Sequence, residues 1–149
     1  MNSMKYFCIL VLLCCTTNFT FSQIVEFDFR YDKSAQEFRL DIRNMTNDTV
    51  YIINQLHYNM FRGSYIYLST KDEKGKMDYD IIPFWDSENG RWPVIKILKE
   101  HSNMTLRWPF RFKNGDNAVE AELRLAVIGK DASGKTGTYE YTKKLIISH

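Results

Sequence analysis

From residue 24 to the end of the chain, apolar and polar residues alternate with a period of two, and no segment repeats convincingly at 3.6. Side chains at i, i+2 and i+4 share one face of a strand, so a chain patterned this way must form sheets that hide one side. "IVEFDFRY" sets Val25, Phe27, Phe29 and Tyr31 on one face and Glu26, Asp28 and Arg30 on the other. "EFRLDIR" repeats the design with Phe38, Leu40 and Ile42 against Arg39, Asp41 and Arg43. "TVYIIN", "SYIYLST", "MDYDII" and "VIKIL" read as short strands rich in β-branched and aromatic residues. "MTLRWPFRF", "AVEAELRLAVIG" and "TYEYTKKLIIS" complete a set of about nine.

Turn chemistry separates these runs. "KDEKGK", "ENGR", "KNGDN" and "KDASGKTG" supply Gly, Asn and Asp where the backbone must reverse, and the Asn-Gly pairs at 89–90 and 114–115 suit tight hairpins. Short strands at this spacing predict an all-β, antiparallel sandwich or barrel. The strand rhythm over 24–148 resembles that of the immunoglobulin-like β-sandwiches common in secreted bacterial proteins. The Cys–Trp–Cys signature of true immunoglobulin domains is missing, so the resemblance is one of fold alone.

Residues 1–22 read as a signal peptide. "MNSMK" is a short basic start, and Tyr6 to Cys15 is an apolar stretch of signal-core length, too short to span a bilayer. Thr20 and Ser22 are small residues placed three and one before a cut that leaves Gln23 first. "VLLCC" resembles a bacterial lipobox around Cys14 or Cys15, but Leu13 or Cys14 stands where a Gly, Ala or Ser is usual, so ordinary cleavage is the preferred reading. With 149 residues in all, residues 23–149 suffice for a single domain with its own core. Cys8, Cys14 and Cys15 all lie in the leader, so the exported part holds no disulfide, thiolate ligand or Cys nucleophile. Lys and Arg number 20 against 18 Asp and Glu, with both signs interleaved. That balance offers no electrostatic reason to expect nucleic acid or an anionic membrane as partner.

The sequence supports no catalytic assignment. His57, His101 and His149 lie outside any recognised catalytic or zinc-binding spacing, and GxSxG is absent. "KDEKGKMDYD" gathers Asp72, Glu73, Asp78 and Asp80, oxygen ligands of the kind Ca²⁺ takes, in a spacing unlike the twelve-residue calcium loop; it also reads as a plain hairpin tip. No cofactor is expected. "NMTNDT" contains the acceptor triplets of Asn44 and Asn47, Asn103 starts a third, and Thr49 sits in an Asp-Thr-aliphatic triplet of the kind some Gram-negative bacteria O-glycosylate. The plainer reading of this stretch is a hairpin or sheet-crossing loop.

Binding is the expected activity. Trp108, Phe110 and Phe112 alternate with Arg107, Pro109 and Arg111 and are assigned to the core, with Pro109 marking an edge strand or bulge. Trp85 and Trp92 flank Asn89-Gly90 and could stack on a ligand, with Asp86, Asn89 and Arg91 as polar contacts, or clamp the base of a hairpin. Tyr65 and Tyr67 share a strand face and could form a second stacking surface. The chain is therefore read as an exported, non-enzymatic binding or accessory module for a protein or carbohydrate at the cell envelope. One alternative is a small carbohydrate-active enzyme using the acids of 78–88. Another is an assembly subunit that pairs through an edge strand.

Overall fold

The computed structural model describes residues 23–54, 63–72, 74–85, 95–112 and 116–148, with the backbone alone for 116–118. The described residues form nine antiparallel strands in two sheets: β1 (Val25–Asp32), β2 (Glu37–Asn44), β3 (Val50–Ile53), β4 (Tyr65–Asp72), β5 (Met77–Pro83), β6 (Ile95–Leu98), β7 (Asn103–Pro109), β8 (Asp116–Lys130) and β9 (Thr136–Ser148). No helix occurs among the described residues. Each strand coincides with one of the nine alternating runs, within a residue or two at most ends; "MTLRWPFRF" stops three residues early, at Pro109.

The smaller sheet has the order β1-β2-β7. Its first hairpin turns on Asp32, whose carboxylate accepts from Ser34 N at 2.9 Å, Ser34 Oγ at 2.6 Å and Ala35 N at 3.1 Å, before Gln36 closes the turn with φ 52. The registers Phe29↔Leu40↔Leu106 and Tyr31↔Phe38↔Trp108 stack apolar rows on the inner face. The outer face puts like charges in register, Arg30↔Arg39↔Arg107 beside Asp28↔Asp41↔Thr105. Direct opposition of like charges is unfavourable. It is relieved on the diagonal, where Arg30 meets Asp41 at 2.9 Å, and along β2, where Arg39 meets the same carboxylate at 3.2 Å. Pro109 ends β7, which is an edge strand, so its missing N–H leaves no ladder bond unmade. Phe110 and Phe112 pack on the core as expected, although they follow the strand rather than belong to it.

The larger sheet is built around β8. One edge of β8 pairs with β9 from Ala118 to Lys130. The other edge is shared: β4 pairs with it as far as Arg124, and β3 takes Val127 and Ile128. Because β3 and β4 are both antiparallel to β8, they run in line, as one strand column interrupted after Asn54. Outside them, β6 pairs with β3 and β5 with β4, giving a second interrupted column. The chain segments 55–62 and 86–94, which join these half-strands, lie outside the described residues.

Backbone pairing lapses at the level of the interruption, and buried polar side chains replace it. Ser64 Oγ accepts from Ala126 N at 2.9 Å and donates to Ala126 O at 3.2 Å. Ser64 N donates to Ile53 O at 2.7 Å. Asn54 accepts from Phe84 N at 3.1 Å and donates to Trp85 O at 2.6 Å. Ser64 and Asn54 are among the few buried polar residues, and each satisfies backbone groups that would otherwise be orphaned.

One apolar cluster joins the sheets. Phe29, Phe38, Leu40 and Ile42 of the smaller sheet meet Val50, Ile52, Ile66, Leu123 and Leu125 of the larger. The third buried polar residue, Asn44, closes one end of this core. Residues 45–49 carry the chain from β2 in one sheet to β3 in the other, so the polar stretch "NMTND" is a sheet-crossing loop and not a hairpin. The positional logic is that of a sandwich whose two layers hide each other's apolar faces.

Candidate functional site

Trp85 is the only member of the proposed tip inside the described residues; Asp86, Asn89, Arg91 and Trp92 lie outside them. It follows β5 where the outer column breaks, and β5 and β6 pair with β4 and β3, not with each other. The expectation of a hairpin base with Trp85 and Trp92 as a cross-strand clamp falls on residues 86–94, which lie outside the described residues. Trp85 is half-buried against the core, edge-on to Phe84 at 6.1 Å, with Lys96 Nζ 4.8 Å above its ring. Its indole N–H is buried and meets no acceptor among the described residues. Neighbouring Trp108 is buried, and its N–H donates to Phe84 O at 3.2 Å, tying the two sheets together.

The acceptor triplets differ in what the fold makes of them. Asn44 is fully buried, and its Nδ2 donates to Asp48 O at 2.8 Å, Lys99 O at 3.0 Å and Leu98 O at 3.1 Å. Its Oδ1 accepts from Thr46 N and Thr46 Oγ1, both at 2.9 Å. An amide used this way has neither room nor a free hydrogen for a glycan in the folded chain, which corrects that reading of Asn44. Asn47 is exposed and bonds His101 Nε2 through Oδ1 at 2.7 Å. Asn103 is exposed at the start of β7, and Thr49 is half-buried.

The acidic stretch does not converge among the described residues. Asp72 caps the β4–β5 turn, accepting from Lys76 N at 2.8 Å and Lys74 N at 2.9 Å, and Gly75 takes φ 79 there. Asp78 and Asp80 are exposed on β5 and accept from the N–H of the residue that follows each. Glu73, Asp86 and Glu88 are outside the described residues. Among those described, no three His, Cys, Asp or Glu side chains are grouped to hold a metal ion.

A surface does emerge on the outer face of β4 and β5. Tyr65 and Tyr67 project there from β4, and Met77, Tyr79 and Ile81 share that face of β5. Tyr79 sits diagonally from Tyr67, their rings 5.8 Å apart at 24°, and Tyr79 is 58% exposed. Polar groups edge this aromatic strip. Arg124, in register with Tyr65, places its guanidinium 5.9 Å from that ring and 2.6 Å from Glu140. Its hydrogen bond to the Tyr65 hydroxyl and the neighbouring Glu140 hold its pKa above the ordinary value. Glu122, in register with Tyr67, receives Lys144 Nζ at 3.0 Å, and Glu120 receives the same ammonium at 3.0 Å. Hydrogen bonds to the two carboxylates, Glu122 first, raise the Lys144 pKa. The result is a flat aromatic strip beside fixed donors and acceptors. Tyr79 was not singled out with Tyr65 and Tyr67 in the sequence; its parity with Met77 and Ile81 was the available signal, but the partner strand was not.

A groove of about 820 Å³ opens between the β1 and β9 edges, lined by Gln23, Phe27, Asp131, Tyr139, Tyr141 and Thr142. Phe27 meets Tyr141 at 5.7 Å, and the Tyr141 hydroxyl accepts from Ile24 N at 3.3 Å. Burial raises the Tyr141 pKa, only partly offset by that backbone bond, and burial likewise raises Tyr31. A phenol whose folded pKa lies above its unfolded value contributes stability that is whole below an unfolded pKa of about 10 and is lost as pH climbs through the folded one. Resistance to urea is therefore expected to fall from pH 8 toward pH 11, and Tyr141→Phe to flatten part of that decline. An unaltered pH profile in the variant would refute the assignment.

No protein-family model matches the chain, nor does any curated protein sequence. A crystal structure from Bordetella pertussis, of a protein provisionally identified as ApaA, aligns at a TM-score of 0.40 and 12% identity over 83% of this chain and 90% of that one. A likeness that weak bears on neither fold family nor function.

Proposed function

We propose that the chain is an exported, non-enzymatic binding module of the immunoglobulin-like sandwich type, whose ligand is a carbohydrate of the cell envelope. The observation that carries this reading is the near-parallel pair Tyr67 and Tyr79 on the open face of the larger sheet. Aromatic faces in the open, edged by a few fixed polar groups, suit the C–H face and hydroxyl rim of a sugar ring. Arg124, Glu122 and Lys144 are held by their ion pairs beside the strip and would supply directional hydrogen bonds. The apolar stretch from Tyr6 to Cys15 supports export, and cleavage after Ser22 is part of the proposal. The tip around Trp85 is a lesser candidate because that ring already packs against Phe84 and Lys96.

A glycan-array screen followed by calorimetric titration tests this. Tyr79→Ala and Tyr67→Ala are each expected to weaken binding about tenfold while leaving the far-ultraviolet circular dichroism unchanged, since side chains at the centre of an interface carry most of its energy. A blank array would sink the carbohydrate reading. Binding that survives both tyrosine changes but fails in Trp85→Ala would move the site to the interruption. Hydrolysis of chromogenic glycosides, abolished by Asp78→Asn or Asp80→Asn, would replace the module with an enzyme.

A further inference from the structure

Strand β9 spends only one edge. It pairs with β8 over its whole length, and among the described residues no strand pairs with the opposite edge from Thr136 to Ser148, although Lys33 Nζ donates to Ser148 O at 3.3 Å at its far end. A free edge this long is a template for another strand.

Two observations fix which backbone groups face outward. Asp131 N donates to Lys135 O at the mouth of the β8–β9 turn. Ala126 directs its N–H and C=O to Ser64, away from β9. Because antiparallel pairs alternate between bonded and unbonded, both place the odd-numbered residues of β9 in bonds to β8. Thr138, Glu140, Thr142, Lys144 and Ile146 then turn their N–H and C=O groups to the free edge. Their side chains all lie on the outer face, where Ile146 is 81% exposed.

The charges along this edge match themselves. If a second copy lies antiparallel with the two Thr142 residues opposed, Glu140 of each copy faces Lys144 of the other, and no like charges stand opposite. Centring on Glu140, Lys143 or Lys144 opposes like charges at the axis, and centring on Tyr141 pairs neither Glu140 with a lysine nor Lys144 with an acid. Opposite charges directly across an antiparallel pair favour one register over the rest. On the inner side, Tyr139 would face Leu145 of the second copy, over the groove formed with Phe27 and Tyr141. Thr138 would partly cover the exposed Ile146. The ladder would also lengthen the existing ion-pair row, Arg124–Glu140 meeting Lys144–Glu122 across the axis.

We propose that two copies of this chain associate through β9, antiparallel and centred on Thr142, so that the two larger sheets become one continuous sheet related by a two-fold axis. The tyrosine face lies on the same side of that sheet, so the pair would present two copies of it in one surface. The dimer itself does not rest on the carbohydrate reading.

The test is sedimentation of the full chain over a wide concentration range, together with a thiol placed on the axis. With Cys8, Cys14 and Cys15 changed to serine, Thr142→Cys would put its sulfur opposite its own mate, at a Cα separation near 5.5 Å that a disulfide accommodates. Thr138→Cys, about 27 Å from its mate in that register at some 3.4 Å per residue, serves as the control. The expected result is a concentration-dependent dimer in the native chain and rapid oxidative cross-linking of Thr142→Cys alone. A strictly monomeric profile overturns the proposal, as does a Thr138→Cys variant that cross-links as readily as Thr142→Cys. Sugar binding by a strict monomer would sink the dimer and leave the proposed module standing.

Discussion

Alanine at position 44 is expected to cost the folded protein about 3 kcal/mol, from the loss of buried hydrogen bonds whose partners stay behind in the dry interior. Asn44 donates to three backbone carbonyls drawn from two segments, the 44–48 loop and the end of β6, and it accepts twice from Thr46. It therefore holds together the crossing from one sheet to the other and the approach to β7. Asn44→Asp sharpens the test. A carboxylate there would face three carbonyl oxygens, so burial and repulsion would lift its pKa in the fold. Its protonated form can donate one bond again. With a folded pKa above the unfolded value of about 3.9, the variant gains stability as pH falls and loses it as pH rises. Chemical denaturation at pH 4 and pH 7 reads this directly. A loss below about 1 kcal/mol for Asn44→Ala, or an Asn44→Asp variant whose deficit relative to the parent chain is no larger at pH 7 than at pH 4, would show that the loop is held by something else.

Phe38→Ala is expected to be at least as damaging, at about 3–5 kcal/mol. Phe38 is fully buried in the middle strand of the smaller sheet, with Phe110 at 5.1 Å, Tyr31 at 5.3 Å and Phe29 at 5.7 Å between ring centroids. Removing it opens a cavity on a rigid strand flanked by β1 and β7, which can collapse only in part. For a domain whose whole stability is of the order of 5–15 kcal/mol, that leaves little margin. Phe38→Leu, which keeps most of the volume, separates cavity from chemistry and is expected to lose well under half as much. Equal losses for the two substitutions would mean that the aromatic edge contacts, and not the filled volume, hold this corner together.

Much of the architecture was written in the period-two pattern. Leu40 and Ile42 against Arg39 and Asp41, or Leu123 and Leu125 against Glu122 and Arg124, declare which side is hidden before any partner strand is known. Alternation is a local property of the pleat, so it survives whatever the neighbouring strand turns out to be. Turn residues were legible for the same reason, as at Asp131 and Gly134, where the side chain and the φ of 80 act within a few residues. Pairing was not legible. That β3 and β4 share one edge of β8, that Ser64 and Asn54 bridge the break, and that Asn44 is a buried tie and not an exposed acceptor all depend on contacts between residues far apart in the chain.

The site divides along the same line. Tyr67 facing outward followed from its parity with Tyr65, whereas its stacking with Tyr79 needed the β4–β5 register. The chain alone therefore marked the nine strands of the described residues and, for most of them, the face that is buried, because those depend on alternation over a few residues. Tertiary structure decided which strands are neighbours, which polar groups become buried ties and which aromatic rings meet, because hydrogen-bond pairing couples distant segments that carry no mark of one another in the sequence.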